Sequence, residues 1–395
     1  MDPIKNPFVP GAGSPPPELA GRGAIIEKGR ILIERTKQGI QGRNFILTGL
    51  RGVGKTVLLV EMERMAEEAG FNIVRIEAQE ELSIKTEMAR ELRRILLGMS
   101  ALSTAGHKIK HSLAVLKSFV SAFKISVGDF SVEVQPEHGA ADSEDIENDL
   151  PILLLAAAEA AKENGHHIAI IIDEIHTLSM PELKGLIISM HRIQQKNLPL
   201  IFMGAGLPTI LQRAGNALTY AERLFDYLPI GPLSEADTRY AVSEPAERCG
   251  VVFEDEALDE IYYRTLGYPY FIQTWGHQAW DIAAVSPIGK EVIDAATRSS
   301  VMELDQGFFR VRFDRLTQRE KEYLFSMAKL GTGAHKSKDI AAAMMCRTSS
   351  LSRVREDLIR DGMIYSPSHG SLDFTVPLFN EFILRTMRKE SDRIS

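Results

Sequence analysis

The feature that most constrains this fold is the motif GxxxxGKT at residues 49–56. A short apolar run, Phe45 to Leu47, precedes it, and a helix-like segment, Val57 to Ala69, follows it. This order of strand, glycine-rich loop and helix separates a phosphate-binding loop from a chance match. Glycines let the backbone direct its N–H groups at an anion, and the positive end of the helix dipole adds to the attraction. The sequence therefore predicts a bound nucleoside triphosphate.

Within this loop, Lys55 is expected to reach the β- and γ-phosphates, and the Thr56 hydroxyl to bind Mg²⁺. The plain alternative is a glycine-rich turn with an accidental lysine, and the flanking strand and helix argue against it. The expected nucleotide contacts are Gly49, Leu50, Arg51, Gly52, Val53, Gly54, Lys55, Thr56 and Val57.

A second motif is the acidic pair Asp173-Glu174, which ends the apolar run Ile168–Ile172. Acids at the carboxyl end of a buried strand lie where open α/β sheets bind their ligands. Asp173 is expected to hold Mg²⁺, and Glu174 to orient or deprotonate the attacking water. Apolar runs that end in two acids are common by chance, but downstream of a phosphate loop the pair predicts a Walker B motif.

The composition agrees with a globular ATPase. The 395 residues are 44% hydrophobic and 25% charged, which is typical of soluble domains. The longest apolar stretches fall well short of the roughly 18 residues that span a bilayer. The N-terminus has no apolar signal core, and the two cysteines form no metal-binding pattern. We expect a cytoplasmic protein that is not inserted in a membrane.

Strands alternate with helices through the first half of the chain, which predicts a parallel α/β sheet with helices on both faces. Beyond Pro232 the pattern becomes helical, with breaks at Gly250, Gly267–Pro269 and Ser286-Pro287. The predicted domains are an extended Pro/Gly-rich arm (1–18), a P-loop α/β core (19–232) with an insertion (98–148), a helical lid (233–305) and a C-terminal domain (306–395). Inside the insertion, the alternation from Lys124 to Gln135 predicts a β-hairpin around Gly128-Asp129.

The C-terminal domain is predicted to be a winged helix. A capping box, Thr317 to Glu320, begins a helix that runs to about Lys329. A short helix, Ser337 to Met345, and a third from Leu351 to Arg360 capped by Ser350 follow. Two short strands, Met363–Ser366 and Ser371–Thr375, complete the pattern.

Residues 301–395 contain 16 Lys and Arg against 13 Asp and Glu, a weak basic excess. This favours double-stranded DNA as a partner. The alternative is a protein partner, because Glu356, Asp357 and Asp361 dilute the charge of the third helix. The residues expected to face the major groove are Ser349, Ser352, Arg353 and Arg355, and those expected to reach phosphates are Lys338, Arg347 and His369.

The two phosphate-site motifs and the helical segment resemble the replication-initiator (origin-recognition) and signal-transducing branch of AAA+ ATPases, over roughly residues 18–300. Leu19-Ala-Gly-Arg22 resembles the adenine-side box of that branch. Gly267-Tyr268-Pro269 resembles its lid motif, whose Pro269 would lie against the nucleotide. Arg223 stands where such proteins carry an arginine finger that acts in trans, which implies a homo-oligomer.

Both assignments have plain alternatives. Arg223 is close in sequence to Asp226 and could form a surface ion pair with it. A Gly-x-Pro motif often marks only a turn between helices.

Two departures from that branch predict slow turnover. The strand expected to end at Met203 continues into Gly204-Ala205-Gly206, which offers no polar sensor for the γ-phosphate unless Thr209 bends back. Tyr270 replaces the expected lid arginine. The resulting hypothesis is an ATP- and Mg²⁺-dependent switch that controls DNA binding or assembly. Its alternatives are a signalling or defence ATPase with a protein partner, and a ring-forming loader.

Overall fold

A computed structural model describes residues 1–11, 13–79, 83–128 without 103–106, 135–368 and 370–394. The chain divides into two compact units. One unit contains residues 22–49 and 55–230, and is called the sheet unit below. The other contains residues 1–21, 50–54 and 231–395, and is called the helical unit.

The strands of the sheet unit form a parallel sheet that has five members within the described residues, in the order β2-β3-β4-β1-β5. The sequence therefore predicted the fold class correctly. The strands are β1 (Phe45–Gly49), β2 (Phe71–Glu77), β3 (His167–Asp173), β4 (Leu200–Gly206) and β5 (Asp226–Ile230). The helices are α1 (Gly23–Lys37), α2 (Lys55–Glu68), α3 (Ile84–Leu102), α4 (His107–Ala122), α5 (Ile146–Glu163), α6 (Met180–Gln195), α7 (Thr209–Ala217) and α8 (Ala221–Leu224).

Helices cover both faces of this sheet because its central strands are apolar on both sides. Ile170 of β3 and Phe202 of β4 belong to a large core that they share with α3 to α7. The alternate residues Ile171 and Met203 are equally buried and point to the opposite face, against which α1 and α2 pack. A strand that is apolar at every position is typical of a parallel sheet enclosed in this way.

The predicted insertion contributes to this core. The sequence predicted no element for residues 107–122, yet α4 buries Leu113, Leu116 and Phe119 there. The Ser112 hydroxyl donates a hydrogen bond of 2.6 Å to the carbonyl of Ala156 in α5. Residues 125–128 form no strand, and most of the predicted hairpin beyond Gly128 lies outside the described residues.

In the helical unit, the breaks expected beyond Pro232 separate four helices of the described chain. These are α9 (Glu235–Arg248), α10 (Asp255–Thr265), α11 (Pro269–Ile282) and α12 (Lys290–Glu303). A π-helix, Leu304–Phe309, connects α12 to α13 (Arg310–Phe313). The N-terminal arm packs on this unit, where the ring of Phe8 is buried against Gly276 of α11.

The C-terminal part of the helical unit contains α14 (Gln318–Lys329), β6 (His335–Lys336), α15 (Ser337–Ala343), α16 (Ser352–Arg360), β7 (Ile364–Tyr365), β8 (Ser371–Phe374) and α17 (Phe379–Ile394). The capping box of α14 is present as predicted, since Thr317 and Glu320 bond reciprocally. The strands pair antiparallel in the order β6-β8-β7.

Ser350 does not cap the third helix, so that prediction is wrong. A 3-10 turn, Thr348–Leu351, precedes α16, and the residue at the N-cap position is Leu351. The Ser350 hydroxyl instead donates a hydrogen bond to the carbonyl of Arg347 at 2.7 Å. The 3-10 turn changes the cap because it adds one further turn before the helix begins.

Asn44 joins three strands of the sheet at the start of β1, and we predict that Asn44→Ala destabilises the protein. Its side-chain oxygen accepts a hydrogen bond from the Phe202 N–H of β4 at 2.8 Å, and its carbonyl accepts one from Asp226 of β5 at 2.9 Å. The substitution leaves the buried Phe202 N–H without a partner, which lowers the free energy of unfolding by about 1–3 kcal/mol. Chemical denaturation measures this cost. The exposed Asn216→Ala should stay within about 0.5 kcal/mol, and equal effects of both substitutions would contradict the role of Asn44.

Candidate functional site

The glycine-rich loop connects β1 directly to α2, which begins at Lys55. Gly52 has a φ of 80° and Gly54 a φ of 95°, a region that side chains with a Cβ rarely adopt. Such a backbone turns successive N–H groups toward one point, and that point becomes an anion site next to the N-terminus of a helix. The two glycines thus have the positive φ values that a phosphate-binding loop uses, and phosphate binding here stays a prediction.

In the sheet unit, the parallel register brings the ends of β1, β3 and β4 to one edge of the sheet. Thr48 pairs with Gly206, and Ile172 pairs with Gly204. Lys55 and Asp173 are both buried, with 6% and 2% of their surface exposed. Two opposite charges are thus held out of water at the same edge, where an ionic ligand binds more strongly than at an open surface.

The Asp173 carboxylate is oriented by its surroundings. Its Oδ1 accepts a hydrogen bond from the Glu174 N–H at 2.8 Å, and the Arg75 guanidinium lies 3.8 Å from its Oδ2. Asp173 and the Thr56 hydroxyl are the oxygen donors that Mg²⁺ prefers. The described residues contain no cluster of three or more His, Cys, Asp or Glu side chains that could hold a metal. A Mg²⁺ ion there would take its other ligands from phosphate and water.

Glu174 has a strained backbone at the end of β3. Its φ of 50° and ψ of 34° are left-handed, and it caps a 3-10 turn, Ile175–Thr177. Strain of this kind costs about 1–3 kcal/mol and persists where the surrounding structure enforces it, often at active sites. The side chain is 27% exposed, so part of it reaches water, whereas its Oε2 atom is buried.

His176 was not predicted from the sequence, and it connects Glu174 to the end of β4. Its buried Nδ1 lies 3.2 Å from Oε2 of Glu174 and accepts a hydrogen bond from the Leu207 N–H at 3.3 Å. Gly206 permits this approach, because an added Cβ would lie 3.3 Å from the backbone nitrogen of His176 and 3.5 Å from its Nδ1. Thr209, the alternative sensor, begins α7. The only signal in the sequence was a histidine three residues after the Walker B aspartate.

In the helical unit, Tyr268 lies directly on the loop. Its hydroxyl donates a hydrogen bond to the Arg51 carbonyl and lies 3.3 Å from the Thr375 carbonyl. A Cβ atom added at Gly52 would lie 2.8 Å from the Tyr268 ring. Burial raises the pKa of Tyr268 above its usual range, so its hydroxyl stays protonated and remains a donor. The Arg51 guanidinium also donates to the Asp361 carbonyl at 3.4 Å.

The two neighbours of Tyr268 have local structural roles. Gly267 has a φ of 71°, and a Cβ there would lie 2.1 Å from the Leu233 carbonyl oxygen. The Leu233 N–H donates to the Gly267 carbonyl at 2.7 Å. Pro269 is the first residue of α11, a position that suits a residue without an N–H. Contact between Pro269 and a nucleotide stays a prediction.

The other predicted nucleotide-site residues lie in the sheet unit. Arg22 precedes α1 and is half-buried. Arg223 is exposed on α8, and its carbonyl accepts a hydrogen bond from Arg43 at 3.0 Å. Within the described residues, Asp226 pairs with Lys28 at 3.6 Å and Arg43 at 2.8 Å rather than with Arg223. The ion pair that was the alternative for Arg223 is therefore not formed in this structure.

The predicted DNA contacts in the C-terminal part differ in exposure. Lys338 and Arg347 are exposed. The Arg353 side chain is 95% exposed, whereas that of Arg355 is 31% exposed. Residues two apart on a helix point about 200° from each other, so Arg353 and Arg355 do not share one face of α16. His369 lies outside the described residues.

The strand–loop–helix order and the five-stranded parallel sheet define a P-loop NTPase fold. Residues 18–203 match the model of the family described as AAA ATPase domain. Together with the fold, this match supports an AAA+ P-loop ATPase, which implies nucleotide binding. Residues 306–383 match a domain of unknown function, DUF8462. A search of curated proteins found no match. None of the described helices is long and apolar enough to cross a membrane.

Several solved structures are similar. The Walker-type ATPase PABY2304 of Pyrococcus abyssi has a TM-score of 0.59 and 15% identity, over 92% of this chain and 96% of that chain. The ORC1 protein of Aeropyrum pernix in complex with DNA has a TM-score of 0.49 and 14% identity, over 96% and 95%. The Thermotoga maritima RuvB Holliday junction branch migration motor has a TM-score of 0.44 and 15% identity, over 90% and 92%. The first likeness concerns the fold alone.

We predict that Gly52→Ala lowers the melting temperature more than Gly70→Ala does. Both glycines have a positive φ, 80° and 85°, so both substitutions carry a conformational cost of about 1–3 kcal/mol. A Cβ at residue 52 would clash with the Tyr268 ring, whereas a Cβ at residue 70 would have no atom within 4 Å. Thermal unfolding of the nucleotide-free chain measures the difference. Equal shifts would show that Tyr268 does not lie on the loop in solution.

Proposed function

We propose that this chain is an ATP-hydrolysing switch in which the nucleotide at the phosphate loop controls the C-terminal domain. The observation that carries the proposal is the Tyr268 hydroxyl, which lies between the Arg51 carbonyl of the loop and the Thr375 carbonyl of the C-terminal part. The hydrogen bond from Arg51 to the Asp361 carbonyl adds a second connection. A ligand that moves the loop must change both, so its binding energy acts on the C-terminal domain.

In this proposal the residues of the sheet unit perform the chemistry. Lys55 binds the phosphates, and Thr56 and Asp173 hold Mg²⁺, which supplies charge neutralisation when it is bound. Glu174 accepts a proton from the attacking water, and its carboxylate lies beside His176. Turnover is slow because residues 204–206 present no polar side chain to the γ-phosphate.

The proposed output is DNA binding by a winged helix. The order of helices and strands from α14 to β8 supports a winged helix, because three helices are followed by a hairpin whose strand β8 also pairs with β6. Three of the four proposed contacts, Lys338, Arg347 and Arg353, are exposed. Arg355 is the weakest candidate since it is half-buried.

A protein partner is the second candidate for the output. Asp357 pairs with Arg360 at 2.8 Å, and Glu356 is exposed on the same helix. These acids reduce the positive charge that α16 presents, which would suit a partner protein better than a phosphate backbone. A signalling or defence role belongs to this candidate. A ring-forming loader would instead use the exposed Arg223 to reach a neighbouring copy.

The nucleotide chemistry has a two-variant test. ATP with Mg²⁺, at about 100 times its Kd, should stabilise the wild type by ~2.7 kcal/mol. Lys55→Ala should abolish this stabilisation because it removes the ammonium group from the phosphates. Glu174→Gln should keep it while hydrolysis falls by about 10²-fold or more. Melting curves and phosphate release measure the two effects. A wild-type melting temperature that millimolar ATP leaves unchanged would refute the proposal, and equal turnover in Glu174→Gln would remove Glu174 from the reaction.

The DNA output predicts a salt-dependent affinity of the full-length chain for duplex DNA. Each phosphate neutralised contributes about −0.9 to the slope of log K against log salt, so Arg347→Ala and Lys338→Ala should each reduce the slope by about that amount. Arg353→Ala should also change sequence preference. The matched control is Arg319→Ala, because Arg319 is exposed on α14 and pairs with Glu322 at 3.2 Å. If the chain binds no duplex at low salt with or without ATP, the protein-partner candidate replaces the DNA proposal.

A further inference from the structure

Arg75 of β2 lies between two carboxylates of the sheet unit. Its Nη2 is 3.8 Å from Oδ2 of Asp173, and its Nε is 3.9 Å from Oε2 of Glu63 in α2. Both distances exceed the length of a hydrogen bond, and a guanidinium that holds one carboxylate firmly bonds it at about 2.7–2.9 Å. The Nη1 of Arg75 is buried, and no described group accepts a hydrogen bond from it. Arg75 is thus shared between two acids and held tightly by neither.

The register of the sheet brings Arg75 to Asp173. Arg75 pairs with Ile171 of β3, so Asp173, two residues further along β3, projects from the same face of the sheet. Helix α2, which carries Glu63, packs on both strands. Ile76, the next residue of β2, belongs to the core on the opposite face. The alternation of β2 therefore directs one arginine at the Walker B aspartate.

Arg75 supplies the charge that a buried Asp173 needs when no metal is bound. Among the described residues, it is the one arginine or lysine whose side chain forms an ion pair with the Asp173 carboxylate. A buried carboxylate without a nearby cation is costly, because desolvation disfavours its charge. A metal ion at Asp173 would compete with Arg75 for the same negative charge, since a neighbouring positive charge disfavours a second one.

We propose that Arg75 is an exchangeable counter-ion of Asp173, which weakens metal binding there and makes it depend on the phosphates of the nucleotide. The inference rests on the proposed role of Asp173 as a ligand of Mg²⁺. Arg75 is then a positioning residue, because it acts through Asp173. Glu63, on the other side of the guanidinium, is the acid that keeps Arg75 paired when Asp173 binds the metal.

The charges explain why the nucleotide is needed. The single charges of Asp173 and Arg75 cancel, so this pair by itself attracts a divalent cation weakly. Nucleotide phosphates add the negative charge that Mg²⁺ requires, and Mg²⁺ usually binds through one or two carboxylates together with substrate phosphates. The metal would therefore bind and leave together with the nucleotide.

The test measures the affinity of the full-length chain for the β,γ-imido analogue of ATP by titration calorimetry, once with Mg²⁺ and once with EDTA. The ratio of the two dissociation constants gives the factor by which Mg²⁺ strengthens binding. The free nucleotide binds Mg²⁺ equally in every experiment, so differences in this factor between variants report the metal affinity of the protein–nucleotide complex.

Arg75→Gln should raise the factor by about 10-fold or more, the size of effect that one neighbouring charge has on the proton affinity of a carboxylate. The affinity in EDTA should change less than about threefold. Arg75→Lys keeps the charge and should return the factor toward that of the wild type. A purely structural role of Arg75 would change both affinities alike and leave the factor unchanged.

Two further variants complete the comparison. Glu63→Gln leaves Asp173 as the charged partner of Arg75 and should lower the factor by about two- to fivefold. The matched control is Arg64→Gln, which should leave the factor unchanged, because Arg64 is exposed on the same helix and pairs with Glu61 at 2.6 Å. Melting in EDTA shows whether each variant folds. If Arg75→Gln does not fold, the opposite shift in Glu63→Gln still decides the inference.

The failure of this inference differs from the failure of the proposed function. If Asp173→Asn lowers the factor but Arg75→Gln and Glu63→Gln leave it unchanged, the counter-ion is wrong and the switch proposal stands. A change in Arg75→Gln that is confined to the affinity in EDTA would also overturn the inference. If Asp173→Asn leaves the factor unchanged, Asp173 is not a metal ligand and the inference falls with that role. If the wild type does not bind the nucleotide, both proposals fall.

Discussion

The parallel pairing of β4 with both β1 and β3 is the constraint on which the site depends. Because β4 lies between them, the phosphate-loop strand and the Walker B strand end at the same edge, one strand apart. The register is fixed by strands that are buried on both faces, since a slip would expose apolar residues or bury polar ones. Asn44 adds a specific connection, because it bonds to backbone groups of both β4 and β5.

That arrangement leaves little room at the end of β4, and the sequence there is adapted to it. Gly206 allows His176 to approach, and His176 in turn lies beside Glu174. Gly204 and Gly206 lie where a polar sensor residue was expected, and Gly206 leaves space for His176, which follows the neighbouring strand β3. The glycines at the end of β4 therefore place a histidine, rather than a polar side chain of β4, next to Glu174.

In the helical unit, the contacts between the glycine-rich loop and the C-terminal part depend on Tyr268. Its ring covers Gly52, and its hydroxyl lies between two carbonyl groups from distant parts of the chain. A buried tyrosine whose hydroxyl is satisfied in this way is stable only while both partners stay in place. Tyr268 therefore makes the loop conformation and the C-terminal contacts depend on each other, which is the physical basis of the proposed switch.

Local sequence determined the parts of this protein that need only neighbouring residues. The glycine spacing of residues 49–56, the apolar run before Asp173 and the capping box of Thr317 each specify a backbone conformation within one turn or strand, and the structure contains all three. Tertiary structure decided what depends on distant residues. It placed α4 in the core, set Arg353 and Arg355 on different sides of α16, and brought His176, Tyr268 and Arg75 to their positions. No local pattern encodes these contacts, because each one forms only when segments far apart in the sequence pack together and exclude water.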